Sequence, residues 1–300
     1  MERISFHDQI AKNKRNSVLL GIIGFSFLIG LVYVISQILA PALSLIFLIF
    51  AGVIMVVYTW TSYMYGDRVI LAATKAKPIR EDDRRYIHLV NAVEGLSIAA
   101  GIPKPKIYFI ESDEINAYAT GRDPQHSSIV VTTGLLKNLK RDEIEGVIGH
   151  ELSHIRNYDI RFATFIAVLV GLVAILSDLL LRTFRYSSGR RDRDRDGNFG
   201  LLILVGFILA IFAPIIVRLV QFAISRKREF LADSSSVELT RYPEGLASAL
   251  EKISKINQGK LKVSEAVSHL FFTDPNKSPL DSLYATHPPL EERVKILRSM

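Results

Sequence analysis

The sequence contains no cysteine. Disulfide scaffolding, thiolate nucleophiles and cysteine-ligated metal are excluded at once, so any metal centre must be built from His, Asp or Glu. Charge is missing altogether from Val18 to Gly66, a stretch long enough for two membrane spans of about 20 residues each. Acidic residues are in deficit: 37 Lys and Arg face 30 Asp and Glu, a formal net charge of +7. A basic chain with long apolar stretches is expected to meet anionic lipid headgroups on the cytoplasmic side of a bilayer. No basic–aromatic stripe or recognition-helix pattern is present, so no nucleic-acid partner is expected. No internal repeat is evident.

What the chain does have is apolar surface, unevenly spread. Of its 300 residues 49% are hydrophobic, and the length alone suggests about two domains. Pro41 divides the charge-free stretch into Val18–Ala40 and Ala42–Trp60, read as a transmembrane hairpin with Trp60, Tyr63 and Tyr65 in an interfacial aromatic belt. The first run is too long for a signal core, a second follows at once, and Pro41 disfavours cleavage after Ala40, so an uncleaved anchor is expected. A third apolar stretch spans Phe162–Leu181 and contains Asp178; a fourth spans Phe199–Ile224 and contains Pro214 and Arg218. Between them, the alternating Arg and Asp of Gly189–Gly197 cannot form a core and read as a solvated loop. The expected organisation is residues 1–66 as N-terminal segment and hairpin, 67–159 as the first part of a catalytic domain, 160–224 as a second hairpin with its charged loop, and 225–300 as the second catalytic part.

The water-soluble pieces read as mixed structure. A helical pattern over Asp82–Ala100 ends in Gly101, Pro103 and Pro105. Strands are expected at Lys106–Glu111, Asn116–Thr120 and Ser128–Thr133, the last two separated by the turn-forming Gly121–Pro124. A helix begins near Arg141 or Asp142, and further helices are expected over Arg226–Leu239, Tyr242–Ile256 and Leu290–Ser299. The expected fold is mainly α with a small β-sheet, an α+β zincin-type catalytic domain, plus about four transmembrane helices.

The first of these later helices carries His150-Glu151-Leu152-Ser153-His154. Residues i and i+4 of a helix share a side, so His150 and His154 can hold one metal ion. Glu151 lies beside them and is placed to act as general base, the zincin arrangement. Zinc lowers the pKa of its bound water to about 7, and Glu151 is expected to take a proton as that water attacks a carbonyl carbon, then pass it to the leaving amine. Ile144, Val147, Ile148, Leu152 and Ile155 give the helix a buried side. Gly146 and Gly149 are expected to let a strand or substrate come close. A catalytic zinc needs a third protein ligand. The other histidines are His7, His88, His126, His269 and His287. Among carboxylates, Glu229 and Asp233 stand four apart in Ser225–Asp233, so that one could bind metal and the other accept the free N–H of a ligating histidine. A solvated charged segment beside an apolar stretch accounts for that spacing equally well.

The chain resembles the HtpX-like membrane zinc endopeptidases, relatives of the CAAX prenyl proteases and of the mitochondrial OMA-type proteases. The likeness rests on HELSH at 150–154, REFLAD at 228–233, NAYATG at 116–121 and THPP at 286–289, and it covers the whole chain. It implies Glu229 as third ligand of one Zn²⁺ per chain and Asp233 as the residue supporting a ligand from behind. It also implies that Asn116, Ala117, Tyr118 and Ala119 lie on an edge strand that pairs with extended substrate. His287 is a candidate to stabilise the oxyanion, and Arg228 a weaker one. A stress-related quality-control role, cleaving misfolded or damaged membrane proteins or unfolded polypeptide, is implied in the same way. A CAAX-type processing protease and a membrane scaffold with a structural metal are the alternatives. Four segments argue against the first, and Glu151 against the second.

Because His154 and Glu229 must meet, an even number of crossings lies between them. His154 precedes Phe162 by so little that a continuous helix would place the site about 12 Å from the third stretch. Arg3, Lys12, Lys14 and Arg15 flank the first stretch, which puts the N-terminus and the catalytic part in the cytoplasm of a multi-pass inner-membrane protein. The arginines between Arg182 and Arg195 run against that rule, unless the third and fourth stretches form a hairpin that does not cross.

Overall fold

The computed structural model describes residues 41–164, 226–261, 263–273 and 288–300, with a few single positions besides. Nearly all of the expected span Val18–Ala40, most of the third apolar stretch, the charged loop, the whole fourth stretch and His287 lie outside the described residues.

The chain is mainly helical with one small mixed sheet. Helix α1 spans Ser44–Ala73. It does not stop near Trp60, where a membrane span was expected to end. Beyond that point it keeps an apolar face, and Ile70 and Leu71 are buried against the sheet, so the helix is extended by tertiary packing. Its halves Ser44–Tyr58 and Trp60–Ala73 meet at 49°. Among the described residues no single helix is long and apolar enough to cross a membrane, whereas these halves together pass that test by length and composition. The Thr74 hydroxyl donates to Ile70 O at 2.9 Å, and Lys75 at φ 55° turns the chain away.

A two-residue strand, β1 (Lys77–Pro78), follows. Helix α2 covers Ile87–Ala100. It starts later than its apolar pattern suggested, because Asp83 accepts from Arg85 N at 3.0 Å and holds Arg84–Tyr86 in a 3₁₀ turn. Gly101, at φ 68°, caps it in the left-handed conformation. Strands β2 (Lys106–Ile110), β3 (Ala117–Asp123) and β4 (His126–Thr132) complete a sheet of order β1-β2-β4-β3. β3 and β4 form the expected antiparallel hairpin, while β4 pairs parallel to β2.

Among the described residues, further helices are α3 (Thr133–Asn138), α4 (Arg141–Arg156), α5 (Arg226–Thr240), α6 (Pro243–Ile256), the short α7 (Glu265–Ser268) and α8 (Leu290–Leu297). They pack α4 between the sheet and α2 on one side and α5 and α6 on the other. The core joins Leu89 and Val93 of α2, Ile129 and Val131 of β4, the apolar side of α4, and Leu246, Leu250 and Ile253 of α6. A second apolar cluster joins the end of α1 to Tyr118, Val130 and Phe271.

β3 forms one edge of the sheet and lies along the last turns of α1. Tyr118 and Thr74 share a hydroxyl contact of 2.7 Å, and Arg122 Nη1 reaches Met64 O at 3.4 Å. The strand and the helix therefore run in opposite directions side by side.

Candidate metal centre

Helix α4 is well specified. The Glu143 carboxylate accepts from Lys140 N at 2.6 Å, satisfying a donor at the helix start. Ile144, Val147, Ile148, Leu152 and Ile155, the side read as buried, are all buried. The glycines serve neighbours other than those expected. A Cβ on Gly146 would stand 2.7 Å from Leu246 N, and one on Gly149 would stand 2.9 Å from Ser236 Oγ. They admit helices α6 and α5, not a strand or a substrate. The Ser236 hydroxyl donates to Gly146 O at 2.6 Å, which locks α5 onto α4.

That locking brings Glu229 across to the histidines. The Nε2 atoms of His150 and His154 are 3.1 Å apart. Glu229 places Oε2 3.7 Å from the first and Oε1 3.6 Å from the second. A tetrahedral zinc with Zn–N near 2.05 Å has ligand–ligand edges of roughly 3.3 Å, so these separations suit one such ion. His150, Glu229 and Glu151 are buried, and His154 keeps 16% of its side chain exposed. Among the described residues, His150, His154 and Glu229 are the group with metal-holding geometry.

The outward nitrogens of both rings are held. His150 Nδ1–H donates to Asp233 at 2.9 Å, and His154 Nδ1–H to Asp159 at 3.1 Å. Each carboxylate fixes the proton on Nδ1, so both Nε2 lone pairs face the same point. Two lone pairs at that distance repel unless a cation lies between them, so the donor set fits a metal. Without metal, a proton can fill that place. Burial is the main reason His150 falls to about 4, and the Arg293 charge adds to the fall against the pull of Asp233. Burial also penalises the charged form of His154, but the Asp159 hydrogen bond and the Glu229 charge outweigh it and raise that imidazole to about 9. Without metal, the pair thus retains one positive charge between its rings.

Asp159 escaped the sequence reading. α4 does not continue to Phe162 as a single helix. It ends at Arg156 with Asn157 as its cap, Tyr158 adopts φ 60°, and residues 159–164 begin a new helix. The turn carries Asp159 back under His154. The only signal was an acidic residue five places after the motif, which is weak by itself. Arg228, on the same side, stands 3.7 Å from Asp159 and 4.7 Å above the Phe162 ring. Arg293 of α8 was also missed. It is fully buried and grips Asp233 through Nε at 2.8 Å and Nη2 at 2.6 Å. The sequence places it on a helix just after the THPP segment, with nothing to say which way that helix faces.

The cavity at the centre is lined by both histidines, Glu151 and Glu229, with Ala119, Phe162, Phe271 and Phe272 as apolar walls. The segment expected to meet substrate is therefore beside the centre, but only part of its edge is open. Asn116 is buried and clamps Thr273, donating from Nδ2 to Thr273 O at 2.9 Å. Ala117 O accepts from Phe272 N at 2.8 Å. The Tyr118 backbone faces β4 and its ring packs against Phe271, with centroids 4.8 Å apart. Further along, Gly121 N donates to Thr164 Oγ1 at 3.3 Å. By strand alternation, Ala119 then directs its N–H and C=O outward, toward the cavity.

The sequence profile of Peptidase family M48 matches residues 83–300. A "Protease HtpX homolog" of Dictyoglomus turgidum is 44% identical over 302 residues, covering 100% of this chain and 96% of that protein. One from Streptococcus uberis is 39% identical over 299 residues, covering 98% of this chain and 99% of that protein. The chain belongs to peptidase family M48. It is an HtpX-like metalloprotease. Among solved structures, the crystal structure of S. mikatae Ste24p aligns over 96% of this M48 chain and 66% of its own, with 21% identity and a TM-score of 0.48.

Proposed function

We propose that this M48 protease is a zinc-dependent endopeptidase held at a membrane, and that it cleaves unfolded or membrane-derived polypeptide presented as an extended strand. One observation carries the reading: His150, His154 and Glu229 converge, with both rings oriented from behind by carboxylates. His150 Nε2, His154 Nε2 and the Glu229 carboxylate would hold one Zn²⁺. When bound, zinc supplies the Lewis acidity that makes a water nucleophilic near neutral pH.

The chain's own residues do the rest. Glu151, buried in the cavity wall next to His150, accepts a proton from the attacking water and delivers it to the leaving amine nitrogen. Ala119 aligns the substrate backbone through its outward N–H and C=O. Phe162, Phe271 and Phe272 exclude bulk water and favour apolar side chains beside the scissile bond. His287 as an oxyanion donor remains part of the proposal, and it lies outside the described residues.

The membrane placement is supported by α1. Phe50, Ile54 and Trp60 are 65%, 63% and 66% exposed, too much apolar surface for water on one helix. The charge-free stretch Val18–Gly66 begins well before it, which supports a multi-pass anchor, and the basic residues ahead of that stretch support a site facing the cytoplasm of the inner membrane.

The deciding experiment is Glu151→Gln in the full chain purified in detergent. It is expected to keep stoichiometric zinc and to lose cleavage of casein by at least a hundredfold, the usual scale for a general base. Near-normal cleavage by a zinc-loaded variant would remove Glu151 from that role.

A further inference from the structure

Arg293 is the largest fully buried side chain among the described residues. Burying a guanidinium is costly, and an ion pair in a core is often replaced by apolar residues without loss of stability. A helix that only had to pack would carry Leu there, as α8 does at the buried Leu297.

Its contacts all lead to the centre. The fork grips Asp233, with Nη2 donating to Oδ1 at 2.6 Å. That same oxygen accepts the His150 Nδ1–H at 2.9 Å. Nη1 has no hydrogen-bond partner among the described residues and stands 3.7 Å from Glu229 Oε2. The guanidinium lies 4.8 Å above the Phe272 ring, and Phe272 in turn meets His150 edge-on at 4.8 Å.

We infer that Arg293 is a positioning residue for the metal centre: it fixes His150 through Asp233 and holds Glu229 toward the histidines through Nη1. This rests on His150, His154 and Glu229 being the ligands. A bidentate fork locks a carboxylate in one orientation, which a point charge does not. Freed from it, Asp233 loses two donors and can turn away from His150, and Glu229 loses a cationic neighbour 3.7 Å from Oε2.

Charge and position make opposite predictions here. Removing a cation 3.7 Å from a ligand carboxylate would, by Coulomb's law alone, tighten binding of another cation. Loss of positioning weakens it. The test is Zn²⁺ affinity of the full chain in detergent, measured by chelator competition, with the Co²⁺ absorption spectrum reporting ligand geometry and melting at saturating Zn²⁺ reporting the fold. Arg293→Met is expected to weaken Zn²⁺ binding by roughly tenfold or more and to alter the Co²⁺ spectrum, with Arg293→Lys intermediate. Asp233→Asn combined with Arg293→Met is expected to lose less than the sum of the two single losses, because the effect of Arg293 on His150 runs through Asp233. Unchanged or tighter Zn²⁺ binding by Arg293→Met, or fully additive losses in the double variant, would overturn the inference. If Arg293→Met does not fold, Arg293→Lys decides: unchanged affinity and spectrum overturn it. Glu229→Ala with undiminished Zn²⁺ affinity would instead sink the ligand set on which the inference rests.

Discussion

Asp159 accepts the Nδ1–H of His154 at 3.1 Å, so the second histidine of the motif is held from behind just as the first is held by Asp233. The two supports come from different places: Asp233 from a helix across the fold, Asp159 from the turn that ends the motif helix itself. Asp159→Asn, which keeps the size and can keep an acceptor, is expected to lower Zn²⁺ affinity by about tenfold, and Asp159→Ala by up to about a hundredfold. Chelator competition measures both. Equal affinities for both variants and the parent would mean that Asp159 does not orient His154.

The opposed shifts of the two histidines set a pH optimum for the metal-free protein. His150, held near 4 against an ordinary 6.5, contributes stability above pH 6.5 that is lost as pH falls toward 4. His154, raised to about 9, contributes stability below pH 6.5 that is lost as pH rises through 9. Each limb has a limiting slope of about 1.4 kcal/mol per pH unit. Melting temperature of the chelated protein is expected to peak near pH 6.5. Saturating Zn²⁺ is expected to abolish the alkaline limb, since a ligating histidine has no proton left to lose. A chelated protein whose stability rises from pH 7 to 9 would contradict the assignment of His154.

Gly146 tests the packing of α6 on the motif helix. A methyl there would press on the Leu246 backbone at 2.7 Å, and backbone yields less readily than a side-chain tip. Gly146→Ala is expected to destabilise the fold by about 1–3 kcal/mol, read as a lower melting temperature at saturating Zn²⁺. Gly95 has nothing within 4 Å of its would-be Cβ, and Gly95→Ala serves as the control, neutral or slightly stabilising in a helix.

Ala119→Pro removes the one outward N–H on the open part of β3. Proline is tolerated where an edge strand faces outward, so Zn²⁺ content is expected to stay near normal. kcat/KM for a peptide substrate is expected to fall roughly tenfold, the scale of one lost hydrogen bond. A variant that cleaves as fast as the parent would show that substrate does not pair there.

The motif helix, its buried side and the hairpin edge were legible because each depends on neighbours in sequence: spacing of four for the histidines, periodicity for Ile144 to Ile155, turn residues between β3 and β4. Glu229 and Asp233 were legible as a pair, though spacing could not choose between their roles. The parallel pairing of β2 with β4 was not legible, since nothing local records which strands meet. Asp159 depends on one residue, Tyr158, taking a positive φ that tyrosine seldom adopts. Arg293 depends on how α8 docks, a property of the whole core. α1 runs past Trp60 for the same kind of reason: the sheet it packs on lies elsewhere in the chain.

The alignment of β3 with α1 fixes a direction of travel. From Tyr118 to Arg122 the strand advances about 13 Å, and from Thr74 back to Met64 the helix covers about 15 Å, so contacts at both ends hold the two side by side with nearly parallel axes. Under the pairing proposed for Ala119, a polypeptide would lie lengthwise along the helix, as a thread lies along a needle.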